Sequence, residues 1–246
     1  MADFDKQAAQ RFGTAASRAE AGAIDEGLRA YMLRVYNYMA SGLAVTGVVA
    51  FAMVAMAMSS PAFAQAVYGS ALQWVIILAP LGMVFYLSAR INSMSVSGAQ
   101  TAFWIFAALM GASLSSIFLV YTGTSIARVF FITAASFGAL SLYGYTTQRD
   151  LSGWGSFLFM GLIGVIIAMV VNIFLGSPAL MFAISVIGVL VFAGLTAYDT
   201  QQIKEMYYAG DDSAVAGRKA IMGALRLYLD FINMFIMLLH LFGARE

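Results

Sequence analysis

Seven stretches of about twenty apolar residues dominate this chain and leave few folds open to it. A helix needs about 20 such residues to cross the ~30 Å hydrocarbon core of a bilayer. Of the 246 residues, 62% are hydrophobic and 10% are charged, whereas soluble domains average about half apolar and about a quarter charged. We therefore predict an all-α integral membrane protein, a bundle of seven transmembrane helices. The spans are expected at about 32–58, 74–90, 99–121, 126–147, 154–175, 179–203 and 221–242.

The first residues of the chain differ from the rest. Residues 1–27 are Ala-rich and polar and lack an apolar stripe, so we expect a cytoplasmic N-terminal tail ahead of a transmembrane domain of residues 28–246. The alternative is a cleaved signal peptide, because PAFAQ (Pro61 to Gln65) resembles a cleavage site after an apolar stretch. A signal peptide is usually 15–30 residues long in total, which the residues before PAFAQ greatly exceed. The tail is therefore the favoured interpretation.

Lys and Arg are distributed unevenly over the predicted connectors. Cytoplasmic connectors of membrane proteins carry an excess of these residues. With the N-terminus inside, the far side receives two of the 13, Arg128 and Arg245. We predict a cytoplasmic N-terminus and a C-terminus on the opposite side. The other eleven are Lys6, Arg11, Arg18, Arg29, Arg34, Arg90, Arg149, Lys204, Arg218, Lys219 and Arg226.

The inventory of side chains excludes several functional classes. A net charge of +1 with no basic face argues against a nucleic-acid partner. The absence of Cys excludes disulfides, thiolate catalysis and Cys-based metal sites. A single His, His240, excludes a His-rich metal site. We expect no cofactor and no enzymatic activity, with the lipid bilayer as the surrounding medium.

Two aspartates inside the predicted spans carry the functional argument. An ionised group at mid-membrane costs about 2.5–3.5 kcal/mol, so such groups face the bundle interior and find partners. Asp199 precedes Lys204 by roughly 7–8 Å in the sixth span, and Asp230 lies inside the seventh. Arg90 ends the second span. We expect Asp199, Asp230 and Arg90 to meet at one depth near the cytoplasmic end.

Arg226 and Asn233 lie about one turn on either side of Asp230, and they leave two interpretations open. In the simpler one, Arg226 pairs with Asp230 along the same helix. Asp199 then snorkels at a helix end, with Thr196 and Gln202 nearby. In the other, the two carboxylates are neighbours and share a proton, because they cannot both ionise cheaply in a low-dielectric medium. Such a pair would serve as a pH sensor, a proton relay, a cation-binding gate or an acid/base dyad, with Arg226 and Asn233 as supporting polar groups.

An acid/base dyad on neighbouring spans invites comparison with intramembrane aspartyl proteases. Those enzymes use a YD motif on one helix and GxGD on the next. Tyr198 and Asp199 supply the first motif, but Asp230 lies in LYLD, which lacks both glycines. Because the GxGD motif is missing, the sequence argues against an intramembrane aspartyl protease.

Several segments resemble the Bax inhibitor-1 family of transmembrane proteins, in its bacterial branch. They are ARVFFITAASFGALSLYGYTTQRDLSGWG from Ala127 to Gly155, GLTAYDTQQIK, ALRLYLDFINMF, and LRVYNYMASGLAVTG from Leu33 to Gly47. The resemblance covers essentially all of the chain from about residue 28. It is specific, because several uncommon polar motifs recur in the expected order.

The resemblance implies a bacterial inner-membrane protein whose seventh helix is surrounded by the other six, with a pH-sensitive calcium leak. It implies that Asp199 and Asp230 form a hydrogen-bonded pair, acting as pH sensor and ion gate, and that Arg90 latches to them. Calcium prefers six to eight oxygen ligands, so two carboxylates would bind it weakly and transiently, as a permeant ion. Other bacterial relatives are associated with a membrane-bound ATP-dependent protease. The alternative function is therefore a non-conducting membrane interaction protein that modulates such a protease.

The direction of the pH response stays open at this point. A shared proton removes the repulsion between the two carboxylates, which favours a closed bundle in acid. The same proton would also weaken the attraction of the pair for Arg90, which favours opening.

Overall fold

The computed structural model describes the backbone of residues 2–245 and the side chains of residues 25–245, and over this range the chain is helical. Two short 3-10 helices, Ile91–Ser93 and Ser115–Leu119, extend α3 and α4, and the described backbone contains no β-strand beyond an isolated bridge between Tyr121 and Arg245. The α-helices are α1 (Ala2–Ser59), α2 (Pro61–Tyr68), α3 (Leu72–Arg90), α4 (Val96–Leu114), α5 (Gly123–Thr146), α6 (Ser152–Leu175), α7 (Pro178–Glu205) and α8 (Ser213–Phe242).

Seven of these helices are long and apolar enough to cross a membrane, which confirms the predicted all-α membrane bundle. The spans belong to every helix except the short α2, and their bounds are Asp25–Ser59, Leu72–Ser93, Val96–Leu119, Gly123–Thr146, Ser152–Leu175, Pro178–Glu205 and Ser213–Phe242. The predicted tail, residues 1–27, falls almost entirely outside the described side chains, and its boundary stays a prediction.

Side-chain caps fix where the helices begin. A Ser, Thr or Asp immediately before the helix accepts a hydrogen bond from an otherwise unpaired N–H of the first turn. Five helices begin this way, after Ser60, Ser95, Thr122, Ser177 and Asp212. The cap at Asp212 starts α8 at residue 213, whereas the apolar span was predicted to start at about 221. The first turns of α8 contain charged residues, so hydropathy alone does not indicate them.

Small residues bring pairs of spans into backbone contact. A Cβ placed on Gly111 of α4 would lie 2.5 Å from the carbonyl oxygen of Thr46 in α1. A Cβ on Gly144 of α5 would overlap the carbonyl oxygen of Ala197 in α7. Membrane helices use small residues in this way because close approach maximises van der Waals contact.

Helix α8 is the most enclosed of the spans. It packs against α1, α4, α5 and α7, whereas α3 packs on α2 and α4, and α6 packs on α7. In the apolar window of α8, 72% of the residues are buried, against 11–39% in the other spans. Contact with all six other spans, which the family resemblance implies, stays a prediction.

The arrangement of the spans gives a testable topology. An odd number of crossings places the two ends of the chain on opposite sides. The C-terminal end lies beside the α4–α5 connector, where the Ala244 carbonyl oxygen accepts a hydrogen bond from the Thr122 N–H. We expect reporter fusions to show a cytoplasmic N-terminus and a C-terminus on the far side, because of the Lys and Arg bias. Reporters that place both ends on one side would mean that one of the seven helices does not cross.

Candidate functional site

Asp199 of α7 and Asp230 of α8 are brought together by the packing of these two helices. Their carboxyls lie close enough for a hydrogen bond between them once one of the two is protonated. Asp230 is 5% exposed, while Asp199 is partly exposed. Among the described side chains, no N–H or O–H donor reaches Oδ2 of Asp230. A hydrogen bond between two carboxyls requires a proton on one of them, so this contact exists only while the pair holds a proton.

Arg226, one turn before Asp230 on α8, is the cation at this pair. Its charge acts on both carboxyls. The side chain is exposed and forms no direct ion pair with either aspartate. The simpler interpretation of the sequence, a closed Arg226–Asp230 ion pair, is therefore not what the helix forms.

Arg90, the residue expected to latch onto the pair, forms no ion pair with either aspartate. Its side chain is exposed at the end of α3. Helix α3 packs on α2 and α4, and the 3-10 helix Ile91–Ser93 that follows Arg90 contacts α8, whereas the aspartates lie between α7 and α8. The structure thus brings Asp199 and Asp230 together, and Arg90 forms no ion pair with either of them.

Asn233 also does not reach the pair. Its side-chain amide donates to the carbonyl oxygen of Leu229 on the same helix, at 2.8 Å. This local bond satisfies the amide within α8.

A chain of hydroxyl groups next to the pair joins three helices. The Tyr36 hydroxyl of α1 lies 2.7 Å from Oγ of Ser141 on α5, which lies 2.9 Å from Oγ1 of Thr200 on α7. Thr200 also donates to the Thr196 carbonyl oxygen at 2.7 Å. Thr200 follows Asp199 directly, so this chain fixes the part of α7 that carries the aspartate.

Residues 28–246 match the protein family described as Inhibitor of apoptosis-promoting Bax1. The chain belongs to the Bax inhibitor-1 family. It is 50% identical to the inner membrane protein YbhL of Escherichia coli over 89% of this chain and 94% of the relative. It is 45% identical to an uncharacterized protein of Caulobacter vibrioides over the full length of both.

These relatives agree with the fold. YbhL is named as an inner membrane protein. Seven helices of the present chain are long and apolar enough to span a membrane. The chain is a multi-pass membrane protein, as the sequence predicts. The absence of enzymatic activity and of a cofactor stays a prediction.

The site offers few ligands for a metal ion. Within residues 25–245, no three His, Asp or Glu side chains cluster as metal ligands would. Calcium takes six to eight oxygen ligands. The pair of Asp199 and Asp230 offers two carboxyls. A cation at Asp199 and Asp230 would therefore keep much of its water.

Sequence reasoning did not single out Tyr36, Ser141 or Thr200. Buried Ser and Thr hydroxyls in membrane helices often bond only to their own helix, as Thr133 does with Val129. What distinguishes Ser141 is contact with hydroxyls on two other helices. One signal was available, because Thr200 adjoins the unusual aspartate of GLTAYDTQQIK.

Proposed function

We propose that this protein forms a pH-sensitive leak pathway for cations, in which the pair of Asp199 and Asp230 is both the pH sensor and the gate. The observation that carries the proposal is the approach of the two carboxyls, one on α7 and one on α8, to within reach of a shared hydrogen bond. Calcium is the permeant ion that the family resemblance implies, and two carboxyls would hold it weakly enough to let it pass.

The energetic argument starts from the shared proton. Its loss leaves two negative charges at close range in a medium of low dielectric. Two unit charges about 4 Å apart repel by about 4 kcal/mol at an effective dielectric constant of 20. Coupling energies of about 1–3 kcal/mol already change an equilibrium by about 5- to 150-fold. Protonation of the pair is therefore strong enough to shift the packing of α7 against α8.

Calcium flux through the purified protein in liposomes tests this function directly. Liposomes containing a calcium indicator are prepared with and without protein, and flux is measured from about pH 6 to pH 8. We expect protein-dependent flux that changes with pH. Protein-containing liposomes that are as tight as empty ones over this range would overturn the proposal and favour the non-conducting interaction protein.

The charge of Arg226 near the aspartate pair gives a further prediction about the pH profile of the flux. Replacing Arg226 by Gln removes a positive charge that favours the deprotonated pair, so the pair should hold its proton more tightly. We expect the midpoint of the pH profile to move upward by about one pH unit, at the lower end of the usual effect of a nearby opposite charge, because Arg226 is exposed.

Arg90→Gln is the matched control, since it makes the same change on α3. We expect its midpoint to equal that of the wild type. A shift in Arg90→Gln with none in Arg226→Gln would show that Arg90 is the functional latch and that the conducting protein places α3 differently.

A further inference from the structure

A lateral groove separates α1 from α5 at the end of the bundle where α1 enters the membrane. Its volume is about 640 Å³. The two helices meet there through the Tyr36–Ser141 hydrogen bond, while each packs separately on α8. The residues lining the groove come from α1 and α5 only. The groove therefore opens sideways, toward the lipid.

The walls of the groove are apolar, and the groove extends over most of the apolar half of one leaflet. It extends from residue 29 to 36 on α1 and from 137 to 145 on α5, which is about 10–12 Å at 1.5 Å per residue. Half of a ~30 Å hydrocarbon core is about 15 Å. The apolar side chains include Met32, Leu33, Phe137 and Leu142.

Two cations lie at the end of this groove where α1 enters the membrane. Arg29 lines it directly. Lys204 donates to the carbonyl oxygen of Tyr145 at 2.9 Å and lies over the Tyr145 ring, 5.6 Å from its centroid, and Tyr145 lines the groove. Neither cation forms an ion pair with a carboxylate among the described side chains. Arg29 and the N–H groups of Lys204 that do not bond to Tyr145 therefore remain available to a phosphate.

We propose that this groove binds one anionic phospholipid, with an acyl chain between α1 and α5 and its phosphate at Arg29 and Lys204. The apolar walls match the chain, and the two cations match the headgroup. By the Lys and Arg bias, this is a lipid of the cytoplasmic leaflet. The bound chain would lie against Ser141, the middle member of the hydroxyl chain that joins α1, α5 and α7.

Gly138 allows the groove to be filled without disturbing the helix. It lines the groove, and a Cβ placed on it meets no atom within 4 Å. Gly138→Leu therefore inserts a side chain into open space, and leucine is the better helix former. Gly164→Leu is the matched control, because a Cβ on Gly164 of α6 also meets nothing within 4 Å and this residue lies outside the groove.

The test measures lipid retained by the full-length protein. Delipidated protein is mixed with equal amounts of phosphatidylglycerol and phosphatidylcholine carrying identical acyl chains, and bound lipid is counted by native mass spectrometry. We expect the wild type and Gly164→Leu to retain one phosphatidylglycerol in preference to phosphatidylcholine. Gly138→Leu should lose that lipid.

The headgroup site is tested separately. Juxtamembrane Lys and Arg residues each favour anionic lipid by about fivefold. Arg29→Gln and Lys204→Gln should each lower the preference for phosphatidylglycerol by about that factor, and Arg149→Gln, which lies outside the groove, should leave it unchanged. Thermal unfolding of each variant checks that it is folded.

Three results would overturn the proposal. The first is equal retention of the two lipids by the wild type. The second is full retention by Gly138→Leu. The third is a wild-type dimer that Gly138→Leu converts to a monomer, which would assign the groove to a helix of a second copy.

Discussion

Replacing Asp230 by Asn is expected to remove most of the pH dependence of cation flux, and replacing Asp199 by Asn is expected to do the same. An asparagine keeps the shape of the side chain and offers a permanent N–H donor to the remaining carboxyl. The hydrogen bond between α7 and α8 then no longer depends on a proton. Because the two carboxyls are neighbours that can share one proton, the double variant should lose little more than either single variant.

The measurement is calcium flux in liposomes from about pH 6 to pH 8, and Asp150→Asn is the matched control. Asp150 lies in the connector between α5 and α6, outside the spans. Hydrogen bonds to the side chain and the backbone N–H of Ser152 lower the pKa of the Asp150 carboxyl from its usual value. Asp150 is therefore ionised throughout this pH range, and its replacement should leave the pH profile unchanged.

A wild-type pH profile in both single variants would contradict the gating role. The hydrogen bond between the aspartates would then be structural, holding α7 to α8 without sensing pH. An intermediate result is also informative, because additive losses in the double variant would show that Asp199 and Asp230 act as independent sites.

The meeting of Asp199 and Asp230 could be predicted because two simple constraints act on it. Depth along a helix follows from residue counting, and a carboxyl inside a membrane span needs a partner. These constraints apply without any knowledge of which helix lies beside which.

The position of Arg90 could not be predicted from the same reasoning. Residue counting gives its depth but not the neighbours of its helix, and α3 packs mainly on α4, while contact with α8 is made by the 3-10 helix that follows Arg90. The resemblance to the family supplied the expectation of a latch, and Arg226 occupies the place near the pair.

The hydroxyl chain was hidden for a related reason. Tyr36, Ser141 and Thr200 lie on three helices that are far apart in the sequence, and each is an ordinary residue in its own span. Their contact depends on how closely α5 approaches α7, which the sequence indicates only through a glycine. Gly144 makes that approach possible, three residues after Ser141.

Replacing Gly144 by Ala is accordingly expected to destabilise the bundle, although alanine is the better helix former. A Cβ at this position would overlap the Ala197 carbonyl oxygen and lie 2.9 Å from its carbon and 3.0 Å from the Ala197 Cα. These are backbone atoms, so α5 must move away from α7. Overpacking of this kind typically costs about 1–3 kcal/mol.

Gly138→Ala on the same helix provides the control, because its Cβ meets nothing within 4 Å. Replacing a helical glycine by alanine in open space is neutral or stabilises by up to about 1 kcal/mol. The two variants should thus move the thermal unfolding midpoint in opposite directions, or Gly144→Ala alone should lower it. Equal midpoints would show that α5 and α7 are not held in backbone contact. If the approach of α5 also positions Asp199 through Ser141 and Thr200, then Gly144→Ala should alter the pH profile of the flux as well, and Gly138→Ala should not.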